Sequence, residues 1–465
     1  MDKIMQLVSQ INSSLSDYVL IILLTGTGIY FTIRTKFIQV RCFGEGWRNI
    51  FSKLSRQTSN QKGSLNSFQA LATAVAAQVG TGNIVGASGA ILTGGPGAIF
   101  WMWLISFFGM ATIYAEAVLA QKTRITDKNG KLHGGPVYYI TTAFPNRFGK
   151  ILAGFFAVAT ITALGFMGCM VQANSIGETC QTAFGFPTWT LGIALTVIAG
   201  LIFIGGTTAI AKVSEKLVPL MAVFYLIGGT VVLALRWRYL PETFGYIFKY
   251  AFLPEALLGG SFGYALKIAF SQGVKRGLFS NEAGMGSTPH AHAIAETKTA
   301  HEQGTVAMMG VFIDTAVILT MTALIVISTI YTGDGPLAGA TGESYQELIA
   351  NAGLTKTNLV QKAIASVSAE NTGNIFVAIC LLFFAFSTII SWNLFGKTNF
   401  HYIFKGRVPV LYAILSLTAI FIGTIIKNDL AWELQDMFNQ LMVLPNVLAL
   451  IALSQLVVRC AKEKK

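Results

Sequence analysis

Charged side chains are scarce in this sequence. Asp, Glu, Lys and Arg together make up 12% of its 465 residues, whereas 53% of the residues are hydrophobic. Soluble globular proteins carry about 25% charged residues. The scarcity excludes an ordinary soluble domain and predicts a chain that crosses a lipid bilayer several times.

Proline and cysteine are also few. The chain has 11 prolines and 5 cysteines but 47 glycines. The cysteines are scattered and form no CxxC pair, which excludes a disulfide framework and a CxxC metal site. Abundant glycine with little proline is typical of transmembrane helices that pack closely against one another.

Enzyme signatures are missing as well. The sequence contains no HExxH or GxxxxGK[ST] motif, which argues against a metalloprotease of that type and against ATP-driven work by this chain. A net charge of +12 fits nucleic-acid binding in general, but no long polar domain exists to carry a basic groove. We therefore expect no enzyme activity, no organic cofactor, no nucleic-acid partner and no obligate protein partner.

Apolar windows of about 20 residues predict the spans of an all-α polytopic membrane protein. Eleven windows occur, near 18–33, 68–93, 97–120, 151–179, 189–208, 217–235, 257–283, 305–331, 372–395, 408–426 and 437–458. Most of the 33 Lys and Arg residues lie in the segments that follow the odd-numbered spans. The positive-inside rule then places the N-terminus outside and the C-terminus in the cytoplasm.

The ten spans after the first divide as five plus five, which predicts two inverted repeats. The predicted units are 1–66 (first span and basic segment), 67–236 (first repeat), 237–256 (external connector), 257–458 (second repeat) and 459–465 (basic tail). Segment 332–371 is predicted to form a partly helical external cap.

Two spans at corresponding positions of the halves are interrupted by glycine and polar residues. One interruption is "QVGTGNIVG", from Gln78 to Gly86, and the other is centred on Ser271, Gln272 and Gly273. Broken helices with free N–H groups and carbonyls at mid-membrane form the substrate and ion sites of many secondary transporters. The alternative is that Gly82 and Gly86, which match GxxxG, serve only helix packing.

Uncharged polar residues in two further spans are candidates for the same site. Ser387, Thr388 and Ser391 share one helix face with Phe384, and oxygen-only ligands suit sodium. These hydroxyls can instead bond to their own helix. Gln172 interrupts another apolar run together with Asn174, and either amide can contact a zwitterion or a neighbouring helix.

Charged residues and histidines in or near the spans allow several roles. Glu116 and Asp314 lie in apolar runs, either as functional groups or as partners of nearby basic residues. Lys275, Arg276 and Glu282 follow the second interruption, where we expect an inner gate or an ion-pair set. The histidines downstream have no acidic or cysteine partner at ligand spacing, which argues against a metal site; they are His290, His292 and His301.

Long motifs resemble the alanine or glycine:cation symporter family, the sodium:alanine symporters of the amino acid-polyamine-organocation superfamily. They are "AAQVGTGNIVGASGAILTGGPGAIFWMW", "GGPVYYI", "GVKRGLFSNEAGMGSTPHAHA" and "STIISWNLFGKTNFHYIFKG", and the resemblance covers nearly the whole chain. It implies the inverted-repeat fold of the bacterial leucine transporter with an additional N-terminal helix. That fold agrees with the count of one plus ten spans.

The resemblance also implies roles for single residues. Thr81 and Gly82 offer backbone N–H groups to the substrate carboxylate, Asn83 steadies the break, and Gln172 closes the pocket. Ser271, Gln272 and Gly273 face the ammonium group and the small side chain. The sodium site consists of five oxygens, namely the carbonyls of Ala76, Val79 and Phe384 and the hydroxyls of Ser387 and Thr388.

Gln78 departs from the leucine transporter pattern, which has a small alanine at this position. We count Gln78 among the substrate-binding residues, but the substitution leaves a second sodium site of that type unsupported. The function implied is a sodium-coupled symporter of the cytoplasmic membrane that imports L-alanine, glycine and D-alanine. The rivals are a proton-coupled transporter of another small solute, a channel and an amino-acid sensor.

Overall fold

The protein is almost entirely helical in the computed structural model, which describes residues 2–15, 21–53, 64–128, 130, 132–259, 261–426 and 428–462. The first twelve α-helices are α1 Asp2–Ser14, α2 Ile21–Arg34, α3 Ile38–Arg41, α4 Phe43–Lys53, α5 Ser67–Gln78, α6 Ala87–Gly94, α7 Ala98–Thr123, α8 Pro136–Ala143, α9 Arg147–Thr160, α10 Cys169–Phe184, α11 Thr188–Ile204 and α12 Gly206–Leu235. The others are α13 Leu240–Phe252, α14 Glu255–Leu258, α15 Phe262–Asn281, α16 Pro289–Ala293, α17 Ala300–Val311, α18 Thr320–Val326, α19 Glu343–Asn351, α20 Leu359–Ala365, α21 Glu370–Phe404, α22 Pro409–Gly423, α23 Asn428–Ala452 and α24 Ser454–Lys462.

Short π-helical and extended segments complete the described structure. The π segments are Gly82–Gly86, Ile161–Gly168, Phe312–Leu319 and Ile327–Tyr331, and a 3₁₀ turn spans Trp237–Tyr239. Two two-residue strand pairs occur, β1 (Leu65–Asn66) parallel to β4 (Ala295–Glu296), and β2 (Ile125–Thr126) antiparallel to β3 (Leu132–His133). Because π turns are frequent at functional sites, the segments at 82–86 and 312–319 mark positions of interest.

Five helices of the described residues are long and apolar enough to cross a membrane: Ala98–Thr123, Arg147–Phe184, Gly206–Leu235, Ala300–Tyr331 and Asn371–Phe404. Two bent helix pairs raise the number to seven if each pair is one span. Several apolar helices are therefore confirmed.

The predicted count of eleven spans depends on shorter helices. Ile21–Arg34, Thr188–Ile204 and Pro409–Gly423 are apolar but have fewer than 18 residues, and about 20 are needed to cross a bilayer without thinning it. Residues 16–20, which precede the first of these helices, lie outside the described part of the chain. The count stays a prediction.

Apolar side chains face outward on the helices at the periphery of the bundle. Leu201 and Ile204 of α11 are 67% and 85% exposed, and Val410 of α22 is 68% exposed. Helix α21, in contrast, is enclosed by α5, α10, α12 and α20. A water-soluble protein would bury such an outer surface, so the pattern fits a bundle surrounded by lipid.

The first interruption lies where the sequence predicts it. Helix α5 starts at a capping box formed by Asn66 and Gln69 and ends at Gln78. Val79 then turns to an extended conformation, and helix resumes from Gly82 at an angle of 44°. The two pieces form one broken helix.

The structure corrects the position of the second interruption. Helix α15 runs without a break from Phe262 through Ser271, Gln272 and Gly273 to Asn281. The chain then unwinds over residues 282–288 before α16 begins at Pro289. Positive φ angles at Glu282, Gly284 and Gly286 (59°, 90° and 78°) make this turn, and glycine adopts such angles without steric cost.

The predicted cap, residues 332–371, contains α19, α20 and the start of α21, so its predicted partial helicity is confirmed. The part that precedes α21 is segment 332–369. It covers one end of the bundle, which we name the α19 end, and the opposite end is named the α4 end. The Tyr331 and Tyr345 hydroxyls each lie 3.2 Å from the Ile91 carbonyl oxygen. Arg236 donates to Asp334 at 2.7 Å, and this hydrogen bond holds the pKa of that exposed carboxyl below its usual value.

Candidate functional site

At the first break, backbone N–H groups that have left the helix bond to side-chain amides. The Gly80 nitrogen lies 3.0 Å from Asn83 Oδ1, and the Thr81 nitrogen lies 3.1 Å from Gln172 Oε1. Thr81 and Asn83 are fully buried. The break thus directs two N–H groups at amide oxygens that reach them from the following turn and from α10, as the positive end of a helix attracts oxygen acceptors.

The carbonyl side of the same break faces α21, and the five oxygens predicted for sodium converge there. Thr388 Oγ1 lies 2.9 Å from the Ala76 oxygen, 3.4 Å from the Val79 oxygen and 3.0 Å from the Phe384 oxygen. Ser387 Oγ lies 3.4 Å from the Ala76 oxygen and 2.8 Å from the Phe384 oxygen. Two hydroxyl protons cannot satisfy so many acceptors at once, so this oxygen cluster suits a cation.

Further polar atoms at the break are buried without a hydrogen-bond partner among the described residues. They are Thr81 Oγ1, Gln78 Oε1 and, one turn beyond Thr388 on α21, Ser391 Oγ. Buried polar atoms are nearly always bonded in folded proteins. Orphaned buried atoms beside a break in a helix are therefore expected where a polar ligand binds.

Gln78 connects the two breaks. Its Nε2 donates to the Asn281 carbonyl oxygen at 2.8 Å, which is one of the carbonyls left over at the end of α15. The side chain that departs from the leucine transporter pattern thus caps the second broken helix. An alanine at this position has no polar side chain with which to do so.

Asp314, in the π segment after α17, clasps both breaks. Its Oδ1 accepts from Asn83 Nδ2 at 2.6 Å, and both carboxylate oxygens lie 3.0 Å from Ser280 Oγ. Thr315 adds a bond of 2.8 Å to Oδ2. Asp314 therefore meets neutral donors from the two interrupted helices, in place of the basic partner that the sequence left open.

Comparison with known proteins identifies the family of this chain. The family model for the sodium:alanine symporter family matches residues 1–464. The chain belongs to this family. The resemblance read from its motifs is thereby confirmed, and the family is one of transporters, which is not an enzyme class.

Curated relatives of this symporter-family chain align over almost its full length. The sodium/alanine symporter AgcS of Methanococcus maripaludis is 40% identical over 97% of the chain and 95% of AgcS. The probable sodium/glutamine symporter GlnT of Bacillus subtilis is 37% identical over 97% of the chain and 89% of GlnT. The putative sodium/proton-dependent alanine carrier YrbD of the same organism is 36% identical over 96% of the chain and 90% of YrbD.

Among solved structures, MhsT in complex with L-phenylalanine matches with a TM-score of 0.58. The match covers 87% of this chain and 98% of MhsT at 14% sequence identity, which supports the fold alone. The family and the apolar helices together show a multi-pass membrane protein with a transporter fold.

The second break of this transporter holds two buried carboxylates. Glu282 Oε1 accepts from Trp392 Nε1 at 2.5 Å, and its other oxygen accepts from Ser287. Glu116 Oε1 accepts from the Gly286 nitrogen at 3.0 Å and from Asn446 Nδ2 at 2.6 Å. Both carboxylates accept from neutral donors at the unwound segment. The contacts thus differ from the basic partners that the sequence offered for Glu116 and from the ion-pair set expected to include Glu282.

Ser271, Gln272 and Gly273 lie away from the breaks. Eight residues of continuous helix, about 12 Å, separate Gly273 from Asn281. A Cβ atom added to Gly273 would lie 2.5 Å from Trp101 Cβ and 2.6 Å from the Ala98 oxygen. Gly273 thus lets α15 approach α7, and this helix contact corrects the expectation that the three residues form a break.

Asn174 and Gln172 take different roles. Asn174 Nδ2 donates to the carbonyl oxygens of Gly423 and Ile426 at 3.1 and 2.9 Å, so it binds a neighbouring helix. Gln172 reaches the first break, as described above. The structure therefore separates two amides that the sequence treated as equivalent.

Lys275 and Arg276 form an ion-pair set with Asp436, which is one of the two alternatives predicted for them. We name this cluster, on the α19 side of the second break, the lid. The two basic side chains lie 3.2 and 3.1 Å from Asp436 Oδ2. Arg276 also stacks over the Trp432 ring at 5.0 Å, and Phe279 contacts the same ring at 5.0 Å. This cluster lies between the breaks and segment 332–369, since Lys356 of that segment also lies 5.3 Å from the Trp432 ring.

Proposed function

We propose that this chain is a sodium-coupled symporter that imports small neutral amino acids, namely L-alanine, glycine and D-alanine. The observation that carries the proposal is the first break, which presents N–H groups on one side and a cluster of uncharged oxygens on the other. An amino acid and a sodium ion need these two environments side by side.

The substrate carboxylate is assigned to the N–H groups of the first break. It replaces Gln172 Oε1 on the Thr81 nitrogen and gains the orphaned Thr81 hydroxyl. The helix that starts at Gly82 adds the positive end of its dipole. Gln172 then rotates to close the pocket, and Asn83 stays bound to Asp314.

The ammonium group is assigned to the C-terminal end of α15. The carbonyls of its last turn and the Glu282 carboxylate offer a negative environment there. Space is short: Cβ atoms at Gly80 and Gly82 would lie 2.4 Å from Thr388 Oγ1 and 3.0 Å from Ser280 Cα. A site so crowded favours alanine and glycine over glutamine.

The coupling sodium ion is assigned to the five oxygens between α5 and α21. Sodium ties the carbonyl end of α5 to Thr388, so its occupancy fixes the angle of the first break and with it the N–H groups for the substrate. Sodium binding therefore favours the conformation that accepts the amino acid.

The topology proposed for transport has eleven spans, an external N-terminus and an internal C-terminus. Segment 332–369 and the Arg276–Asp436 lid then face outside, and the basic α4 end faces the cytosol. In this scheme the ten spans after α2 form the 5+5 inverted repeat, and the two repeats rock around the breaks to release alanine and sodium inside.

The test is uptake of labelled alanine into proteoliposomes that contain the purified full-length protein. An inward sodium gradient is expected to drive accumulation, and potassium in its place is not. A panel of unlabelled competitors, including glycine, D-alanine and glutamine, ranks the substrates. Equal uptake with and without the sodium gradient would refute the coupling.

Proton coupling is a second candidate because the second break buries Glu116 and Glu282 against neutral donors, and Glu116 Oε2 has no hydrogen-bond partner within the described part of the chain. A carboxylate without a counter-ion is a natural proton carrier in a membrane. A pH gradient imposed without sodium distinguishes the two: accumulation under these conditions would support proton coupling.

A further inference from the structure

Three potential metal ligands meet at the α4 end of the bundle. Cys42 Sγ, a Glu45 carboxylate oxygen and a His301 ring nitrogen all lie within 4.8 Å of one another. His301 Nε2 is the nitrogen that faces the carboxylate, at 3.5 Å from Glu45 Oε2. The cluster is separate from the two breaks and contributes nothing to the substrate or sodium site.

Helix packing brings these residues together. Cys42 joins α3 to α4, Glu45 lies in the first turn of α4, and His301 lies in the first turn of α17. Asn49 Nδ2 donates to Thr305 Oγ1 at 2.9 Å, so the two helices are also bonded one turn further along. The ligand positions therefore depend on a fixed contact between α4 and α17.

The other ring nitrogen of His301, Nδ1, already has a hydrogen-bond partner that orients the ring. The Tyr114 hydroxyl of α7 lies 2.7 Å from His301 Nδ1. When Nε2 binds a metal, Nδ1 carries the proton and donates it to this oxygen. Metal-ligating histidines in proteins nearly always have such a partner for the second nitrogen, which fixes the tautomer and the ring orientation.

We propose that Cys42, Glu45 and His301 bind a zinc ion, with water as the fourth ligand. A thiolate and an imidazole favour Zn²⁺ over hard cations such as Mg²⁺ or Ca²⁺. Cys42 and His301 are buried, whereas the Glu45 side chain is 25% exposed and gives access to solvent. The sequence argued against a metal at His301 because its partners are more than 250 positions away along the chain.

Zinc at this site links α4, which precedes the first break, to α17, which leads to Asp314. Helix α17, which starts beside His301, continues directly into the π segment that contains Asp314, about 20 Å from His301. A bound ion therefore staples α4 to the start of this helix. The binding itself does not depend on the proposed transport function.

The direct test uses the purified, metal-free, full-length protein without substrate or sodium. We expect it to take up one Zn²⁺ per chain in competition with a chromogenic chelator. Cobalt as a spectroscopic probe is expected to give the visible bands of a four-coordinate site and a thiolate-to-metal charge-transfer band. Failure of the protein to bind either metal would overturn the proposal, and alanine uptake would be unaffected by that result.

Matched variants identify the ligands. Cys42→Ser is expected to remove the charge-transfer band, whereas Cys180→Ser, at a buried cysteine of α10, is expected to keep it. Tyr114→Phe leaves the three ligands in place and is expected to weaken zinc binding about 10- to 100-fold. If Cys42→Ser loses its fold, Glu45→Gln at the partly exposed ligand replaces it. Unchanged zinc affinity in both ligand variants would contradict the site.

Discussion

The two breaks of this symporter-family chain are held in place by different kinds of chemical group. The first opens between Gln78 and Gly82 and is held by neutral amides and hydroxyls. The second unwinds over residues 282–288 and is held by Glu116 and Glu282. In the proposed site, uncharged groups of the first break hold the substrate carboxylate and the sodium ion. The second break supplies negative charge to the ammonium group, from the last carbonyls of α15 and from Glu282.

Asp314 contacts both interrupted helices, so its substitution is expected to have the largest effect. Asp314→Ala is expected to abolish alanine uptake and to lower the midpoint of thermal unfolding in detergent. Its removal leaves the buried donors of Asn83, Ser280 and Thr315 unpaired, and each unpaired donor costs about 1–3 kcal/mol. Asp429→Ala, at an exposed carboxylate paired with Lys356, is the control and is expected to retain uptake.

Crowding at the first break gives the next largest effect. Gly80→Ala is expected to abolish sodium-driven uptake, because the new Cβ would lie 2.4 Å from Thr388 Oγ1. Gly86→Ala in the same motif meets its nearest neighbour at 3.9 Å and is expected to transport normally. If both variants transport equally well, the glycines serve helix flexibility alone.

The oxygen cluster predicts a change in sodium dependence. Thr388→Val keeps the side-chain shape but removes one oxygen ligand, and we expect the sodium concentration for half-maximal uptake to rise about tenfold or more, equivalent to about 1.4 kcal/mol. Thr418→Val, whose hydroxyl bonds only to its own helix at Ile414 among its described contacts, serves as the matched control. An unchanged sodium dependence in Thr388→Val would place the ion elsewhere.

The smallest effect is expected at the second break. Glu116→Gln keeps an oxygen for the Gly286 nitrogen and for Asn446. It replaces only the oxygen that has no hydrogen-bond partner among the residues that the structure describes. Sodium-driven uptake is expected to stay within about twofold of the unsubstituted protein, since no hydrogen bond is lost. A large loss of uptake together with a loss of pH dependence would instead make Glu116 a proton carrier.

Sequence reasoning located the first break because glycines and an amide interrupted an apolar run at Gln78–Gly86. The second was misplaced by about ten residues. Ser271, Gln272 and Gly273 look like an interruption, but a glycine that allows two helices to touch and a glycine that breaks a helix have the same signature in a single sequence. The informative signal was Gly284, Gly286 and the proline at the first position of α16.

Contacts between distant segments were beyond the reach of pattern reasoning. The motif around Asp314 showed an acidic residue in an apolar run, yet its donors come from two other helices. The same holds for His301, whose neighbours Cys42 and Glu45 lie at the other end of the sequence. Such sites depend on packing, which no local periodicity encodes.

Helix α21 runs for 35 residues without interruption, about 52 Å at the usual rise per residue. Along it lie Thr388 at the oxygen cluster, Trp392 at Glu282, and Asn399, which is 2.8 Å from His290 of α16. One continuous helix therefore sets the spacing between the two broken helices, so a displacement of either one must change its contacts with α21.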